Sequence, residues 1–288
     1  MKKISIIIVT FNSSNIIKKC LDSIINNNDI GEKLEIIIVD NNSDDVECVS
    51  SIIKEYYQGK IVFVKNNKNG GYGYGNNIGI KISSAPIILI MNPDVILNKP
   101  IFQELYSSFT NHNVVIVGLQ QYENEHRKGR SFLMLNTSIF ELIFYKIYKL
   151  LNIYNQKHCC FSGACFAIRK EIIENIGYFN ENIFLYGEEK YIHLSIACKI
   201  KKCKFLYNKN ISYIHPIENR VNSDKQVIMG LQSSEYIHKV FGLNYKRSYR
   251  QMINMYKFMK IISLVRNNFK KLKLIENTLN ILYTHFPD

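Results

Sequence analysis

The stretch "ISIIIVTFNSSNIIKKCLDSII" (4–25) changes its periodicity in the middle. Residues 4–9 are a β-branched apolar run with Ser5 as its one polar residue, as expected of a strand covered on both faces. Ser13 and Ser14 each offer a helix cap. Ile16, Ile17, Cys20, Leu21, Ile24 and Ile25 then recur at helical spacing. A buried strand running into an amphipathic helix is the start of an alternating α/β fold.

The pattern repeats along the chain. "LEIIIV" (34–39) reads as a second buried strand, and Val46, Val49, Ile52, Ile53 and Tyr56 mark a second helix. "KIVFV" (60–64) is a third strand. A Gly-rich loop at 70–75 leads to a short helix near 76–84, "PIILIM" (86–91) is a fourth strand and "VVIVG" (114–118) a fifth. This alternation predicts a Rossmann-like, mainly parallel sheet with helices on both faces. Such sheets bind ligands outside the carboxyl ends of their strands. Those ends carry Thr10-Phe11-Asn12, Asp40-Asn41-Asn42, the Gly loop and Asn92-Pro93-Asp94.

The second half is less regular. "SIFELIFYKIYKLLNIY" (138–154) is an apolar, aromatic helix that is buried or lies against a surface. "FSGACFAIR" (161–169) reads as a strand with a tight Ser-Gly-Ala start, and "EEKYIHLSIACKIKK" (188–202) as a helix opening on two acids. Strands at "CKFLY" (203–207) and "ISYI" (211–214) follow, and from about 222 the pattern is helical.

The 288 residues suffice for a sizeable core, and a net charge of +13 points to an anionic partner or a solvated basic surface. Seven cysteines without a C-x-x-C pair read as reduced thiols of a cytosolic protein, not as a zinc site. The N-terminal apolar run is too short for a signal peptide, and no stretch is long enough for a spanning helix. The chain is expected to be cytoplasmic.

The loop "NGGYGYGNNIGI" (69–80) does not make a dinucleotide fingerprint. From Gly71 or Gly73 the G-x-G-x-x-G spacing requires glycine at 76 or 78, where Asn76 and Ile78 stand. Its glycines serve turns or let backbone approach a ligand. Asp40 is either a turn carboxylate or an acceptor for a base or ribose donor. Glu188 and Glu189 either favour a helix N-terminus or carry acid–base chemistry.

The segments "ISIIIVTFNSS", "LEIIIVDNNSDD", "NGGYGYGNNIGI", "IILIMNPDVIL", "FSGACFAIRKE", "IGYFNENIFLYGEE" and "ISYIHP" stand in the order and spacing of glycosyltransferase family 2. Over roughly residues 3–216 the chain resembles that family, and within it the rhamnosyltransferase-like members that build bacterial surface polysaccharides. The resemblance implies a GT-A fold over 1–220, with a nucleotide-binding half (about 1–118) and an acceptor half (about 119–220). A basic helical extension (221–288) lies outside it.

It further implies a nucleoside diphosphate sugar donor, a divalent cation (Mg²⁺ or Mn²⁺), and a saccharide or lipid-linked saccharide acceptor. By the match, Thr10, Asn12 and Asp40 face the nucleoside, and Gly71, Tyr72 and Asn76 lie against nucleotide and sugar. Asn92 and Asp94 occupy the place of the family's metal-binding Asp-x-Asp, whose first acid is here an amide, and His215 completes the metal site. Glu189 takes the position of the catalytic base, where the family commonly has Asp. Glu188 and Tyr186 fall on the acceptor side. Tyr191 stands where many relatives carry another acid. The implied activity is inverting sugar transfer; the alternative is a non-catalytic sugar-nucleotide binding or scaffold protein.

From Lys239 to Ile275 there are ten Lys or Arg and no acid, beside apolar residues at near-helical steps. Two readings stand: a basic amphipathic segment on an anionic membrane's inner face, or helices that pack on the domain with a basic outer side. The apolar tail could also support a homodimer. No nucleic-acid partner is expected. A nucleotidyltransferase would want a basic triphosphate loop after the first strand, and "TFNSSN" (10–15) has none.

Overall fold

The computed structural model describes residues 1–56, 61–216 and 223–286. Lys60 of the expected third strand and the 220/221 boundary lie outside the described residues. In chain order the first elements are β1 (Ile4–Thr10), α1 (Ser14–Asn26), β2 (Leu34–Asp40), α2 (Val46–Tyr56), β3 (Ile61–Lys65), α3 (Tyr72–Ile82), β4 (Ile87–Met91) and α4 (Phe102–Ser107). They continue with β5 (Val114–Tyr122), β6 (Phe132–Met134), α5 (Ile139–Leu151), β7 (Cys159–Phe161), β8 (Cys165–Arg169), α6 (Lys170–Ile176), α7 (Glu188–Lys199) and β9 (Lys204–Ile214). Helices α8 (Asp224–Val240), α9 (Tyr245–Val265) and α10 (Phe269–Thr284) follow.

Two compact units form. The first comprises 1–132, 161–184 and 188–218; the second comprises 133–160, 185–187 and 219–288. The first is built on a seven-stranded sheet of order β3-β2-β1-β4-β8-β5-β9. Strands β3, β2, β1 and β4 are parallel, β5 and β9 are parallel, and β8 runs antiparallel between β4 and β5. All seven residues of β1 are buried, which accounts for its apolar run. Each such side chain removed from water contributes about 1.5–3 kcal/mol. The core groups β1, β2 and β4 with Ile17, Leu21 and Ile24 of α1 and Phe102 and Leu105 of α4.

Three local differences from the sequence reading matter. The Gly-rich segment is helical from Tyr72 onward, four residues before the expected start. A Cβ on Gly75 would meet Val9 Cγ1 at 2.7 Å, and one on Gly79 would meet Ile7 Cγ2 at 2.5 Å. The glycines thus let α3 lie directly on the sheet, and this packing outweighs their poor helix propensity. Second, "FSGACFAIR" divides into the end of β7 and all of β8, separated by Ser162-Gly163-Ala164. Third, the two strands expected at 203–214 are one strand, β9, which pairs with β5 across a register shift between Leu119 and Gln120.

The second unit contains helices α5, α8, α9 and α10. Tyr249, Ile253, Ile275, Leu279 and Leu282 form its core, and Ser223 and Gln226 close a capping box at the start of α8. No helix among the described residues is long and apolar enough to cross a membrane.

Candidate active site

The site lies where the first unit's parallel strands end. Because β8 is antiparallel, its first residue, Cys165, pairs with Met91, the last residue of β4. The turn before β8 therefore meets the segment after β4: Asn92 N–H donates to the Ala164 carbonyl at 2.8 Å. The Tyr72 hydroxyl, at the start of α3, lies 3.0 Å from Asn92 Oδ1 and 2.9 Å from the Gly163 carbonyl. On the other side of that turn, Gly163 N–H donates to Glu189 Oε1 at 3.2 Å. Tyr72, Asn92 and Glu189 thus converge on Gly163.

Burial, reinforced by the charges of Glu189 and Glu188, pushes the Tyr72 hydroxyl well above its ordinary value. It is therefore a permanent hydrogen-bond donor. Glu188 is buried in the first turn of α7, where a carboxylate is favoured by the helix dipole. Glu189 also lines a small cavity with Phe161, Phe166 and His193.

A second pair forms one step along. Ile96 and Ile214 exchange backbone hydrogen bonds of 2.9 and 2.8 Å, clamping the segment after β4 to the end of β9. This puts His215 Nε2 3.2 Å from Asp94 Oδ1. The other ring nitrogen lies 3.5 Å from Gln121 Nε2, and Gln121 Oε1 accepts from the Tyr213 hydroxyl at 3.0 Å. The imidazole is therefore held from behind. A carboxylate oxygen and an imidazole nitrogen fit a Mg²⁺ or Mn²⁺ shell that phosphate and water complete. Among the described residues there is no group of three or more His, Cys, Asp or Glu that could hold a metal ion.

At the ends of β1 and β2, Thr10 and Asp40 are fully buried neighbours. Asp40 accepts from Thr10 Oγ1 (2.9 Å), Ser43 Oγ (2.6 Å) and Ser43 N–H (2.9 Å), the bonding of a turn carboxylate. Asn12 and Asn42 both have positive φ, 51° and 61°. Asn12 N–H donates to Ser43 Oγ at 3.0 Å, while Asn12 Oδ1 accepts from Asp44 N–H at 2.9 Å. Ser13 is the N-cap residue of α1, and its carbonyl accepts from Ile17 N–H, but its side chain makes no cap bond. The side chain that does bond the helix start is Asp45, accepting from Ser14 N–H at 2.8 Å.

Gly71 has φ 90°, and its carbonyl accepts from Asn41 Nδ2 at 2.8 Å. Asn76 is buried one turn into α3, its Nδ2 donating to the Tyr72 carbonyl at 2.9 Å and its Oδ1 without a hydrogen-bond partner among the described residues. Tyr186 is not part of this cluster. With φ 69° it belongs to the second unit, where the adjacent Leu185 carbonyl accepts from Ser233 Oγ at 3.0 Å. The sequence reading did not single out Gly163, Gln121 or Asp45. Only the Ser-Gly-Ala turn carried a visible signal.

The family model described as "Glycosyl transferase family 2" matches residues 5–177. The chain belongs to glycosyl transferase family 2. Similar relatives include the low-salt glycan biosynthesis hexosyltransferase Agl10 of Haloferax volcanii, 29% identical over 197 residues, covering 65% of this chain and 59% of that protein. The minor teichoic acid biosynthesis protein GgaB of Bacillus subtilis is 26% identical over 214 residues, 70% of this chain and 22% of its own length. The chain thus spans less than two thirds of either relative. Among solved structures, a mannosyltransferase of Pyrobaculum calidifontis in complex with GDP-Man and Mn²⁺ superimposes with a TM-score of 0.66 at 13% identity. It covers 98% of this chain and 86% of the other. The likeness establishes the GT-A fold.

Proposed function

We propose that this family 2 protein is an inverting glycosyltransferase. It moves a hexosyl unit, with rhamnose among the candidate sugars, from a nucleoside diphosphate sugar to a hydroxyl of a saccharide or lipid-linked saccharide in surface-polysaccharide synthesis. The observation that carries the reading is the meeting of Tyr72, Asn92 and Glu189 at Gly163, next to the Asp94–His215 pair in the chain segment after β4. The names of the relatives, a hexosyltransferase and a teichoic acid biosynthesis protein, support the substrate class. The neighbour bound to GDP-Man and Mn²⁺ supports the donor and the cation.

In this reading Glu189 is the general base. The Gly163 N–H holds one carboxylate oxygen and orients the other toward the acceptor. It takes the acceptor's hydroxyl proton as that oxygen bonds to the anomeric carbon. The bond from that carbon to the diphosphate breaks on the opposite face, the nucleoside diphosphate leaves, and the configuration inverts. Tyr72 stays protonated and fixes Asn92 and the Gly163 carbonyl in register. Asp94 and His215 would hold a Mg²⁺ or Mn²⁺ ion, which when bound offsets charge growing on the leaving diphosphate. The Thr10–Asp40–Ser43 cluster keeps the nucleoside side rigid, with Asn12, Gly71 and Asn76 around the donor. Glu188 serves the acceptor side.

The test is a panel of nucleoside diphosphate sugars screened by thermal shift with and without Mn²⁺, since a true donor stabilises by mass action. The selected donor is then assayed for nucleotide release by wild type and Glu189→Gln. Loss of release of about 10²–10⁴-fold with donor stabilisation kept is expected. Equal release by both proteins would overturn the assignment.

A further inference from the structure

Helix α5 presents its apolar side to solvent. At about 100° per residue, Phe140, Ile143, Phe144, Ile147, Leu150 and Leu151 share one arc of about 120°, and all six are exposed, Phe140 by 75% and Leu150 by 84%. Leu142, on the opposite arc, is the one buried residue of the helix. An amphipathic helix of a water-soluble unit normally faces its apolar stripe inward. The inversion is not the fraying of a loose end. Ser138 caps the helix by accepting from Glu141 N–H, and Asn152 closes it in the left-handed conformation. Glu141 also bonds His158, whose ring packs against Phe144 and Tyr148.

The charges around this face select its occupant. Lys146 is exposed beside one edge of the arc, whereas Lys149 lies on the opposite side next to Leu142. Helix α9, which packs against α5 within the same unit, belongs to the acid-free stretch with ten Lys or Arg between 239 and 275. Where α9 turns into α10, exposed Leu264, Val265 and Phe269 alternate with Arg266, Lys270 and Lys271. Two copies meeting through such surfaces would bring like charges together, which opposes association. An anionic lipid surface accepts both the apolar arc and the lysines.

We propose that α5 is an interfacial anchor, lying in the plane of an anionic leaflet with Phe140, Phe144, Ile147 and Leu150 among the acyl chains and Lys146 at the headgroups. The anchor is independent of sugar transfer and is read without it. The experiment is co-sedimentation of the full chain with phosphatidylglycerol-containing vesicles and with phosphatidylcholine vesicles, for wild type, Phe144→Ser/Leu150→Ser and Lys146→Glu. Circular dichroism confirms folding of each, and light scattering gives the oligomeric state. Wild type is expected to sediment with the anionic vesicles, and the apolar double variant to lose at least about tenfold in partitioning. The charge-reversed variant is expected to lose the preference for anionic over zwitterionic vesicles. No binding by wild type, or equal binding by a folded apolar variant, overturns the proposal. A wild-type dimer that this variant converts to monomer, without vesicle binding, also overturns it and assigns the face to a second copy.

Discussion

Gly163 offers a way to move Glu189 without altering its chemistry. The glycine is not in a left-handed conformation, so alanine is tolerated by the backbone. A Cβ there would lie 2.8 Å from Glu189 Cγ and 2.9 Å from Cδ, with Oε1 closer still. Ordinary carbon contacts lie at about 3.5–4.0 Å, so the carboxylate must withdraw by roughly 0.7–1 Å. A displacement of about 1 Å in a reacting group can cost about 10²-fold in rate, or about 2.7 kcal/mol of barrier. Because a flexible side chain gives way, Gly163→Ala should melt close to wild type and bind donor as before. Nucleotide release at saturating donor should fall about 100-fold. In a Glu189→Gln background the same substitution should add almost nothing, since both changes act on one group. Turnover unchanged in a folded Gly163→Ala protein, or a full loss repeated on top of Glu189→Gln, would refute the reasoning.

Other outcomes follow from the same geometry. Asp94→Asn should abolish the extra donor-induced thermal stabilisation that Mn²⁺ brings, leaving the metal-independent part, as read by melting curves with and without Mn²⁺. Gly71→Ala places a Cβ 2.9 Å from Phe184 Cα at φ 90°, and should destabilise by about 1–3 kcal/mol in denaturant titration. Burial raises the thiols of Cys20 and Cys165 above 9.0 and the hydroxyls of Tyr72 and Tyr213 above 10.0. Below those ordinary values both folded and unfolded chains hold the protons, so these groups add no pH dependence. Above them the unfolded chain releases protons the folded one keeps. Stability should therefore fall with rising pH by up to about 1.4 kcal/mol per unit per group; a flat urea midpoint between about pH 9 and 11 would contradict this.

The parallel half of the sheet was legible because strands buried on both faces leave continuous apolar runs, and β1, β2 and β4 differ from the expected spans by at most one residue. Strand direction leaves no such trace. Nothing in "CFAIR" shows that β8 runs against its neighbours, yet that reversal is what delivers Gly163 to Asn92 and Glu189. The first turn of helix α3 was hidden for another reason. The helix's glycines speak for a loop by propensity, and only the closeness of Ile7 and Val9 explains them. Within the site, Asp94 stood out as a carboxylate at the end of a buried strand, whereas His215 and Glu189 were reached through the family resemblance. The supporting bonds from Gln121 and from Asp45 to the start of α1 depend on distant chain segments that no local pattern joins.

The two loops at the ends of β1 and β2 are laced together by Asn12, Ser43, Asp44 and Asp45. Lacing of this kind means their conformational entropy is surrendered during folding, not at the moment a ligand arrives. The rim can then behave as a stiff template, leaving affinity to be set by how well a guest's shape matches it.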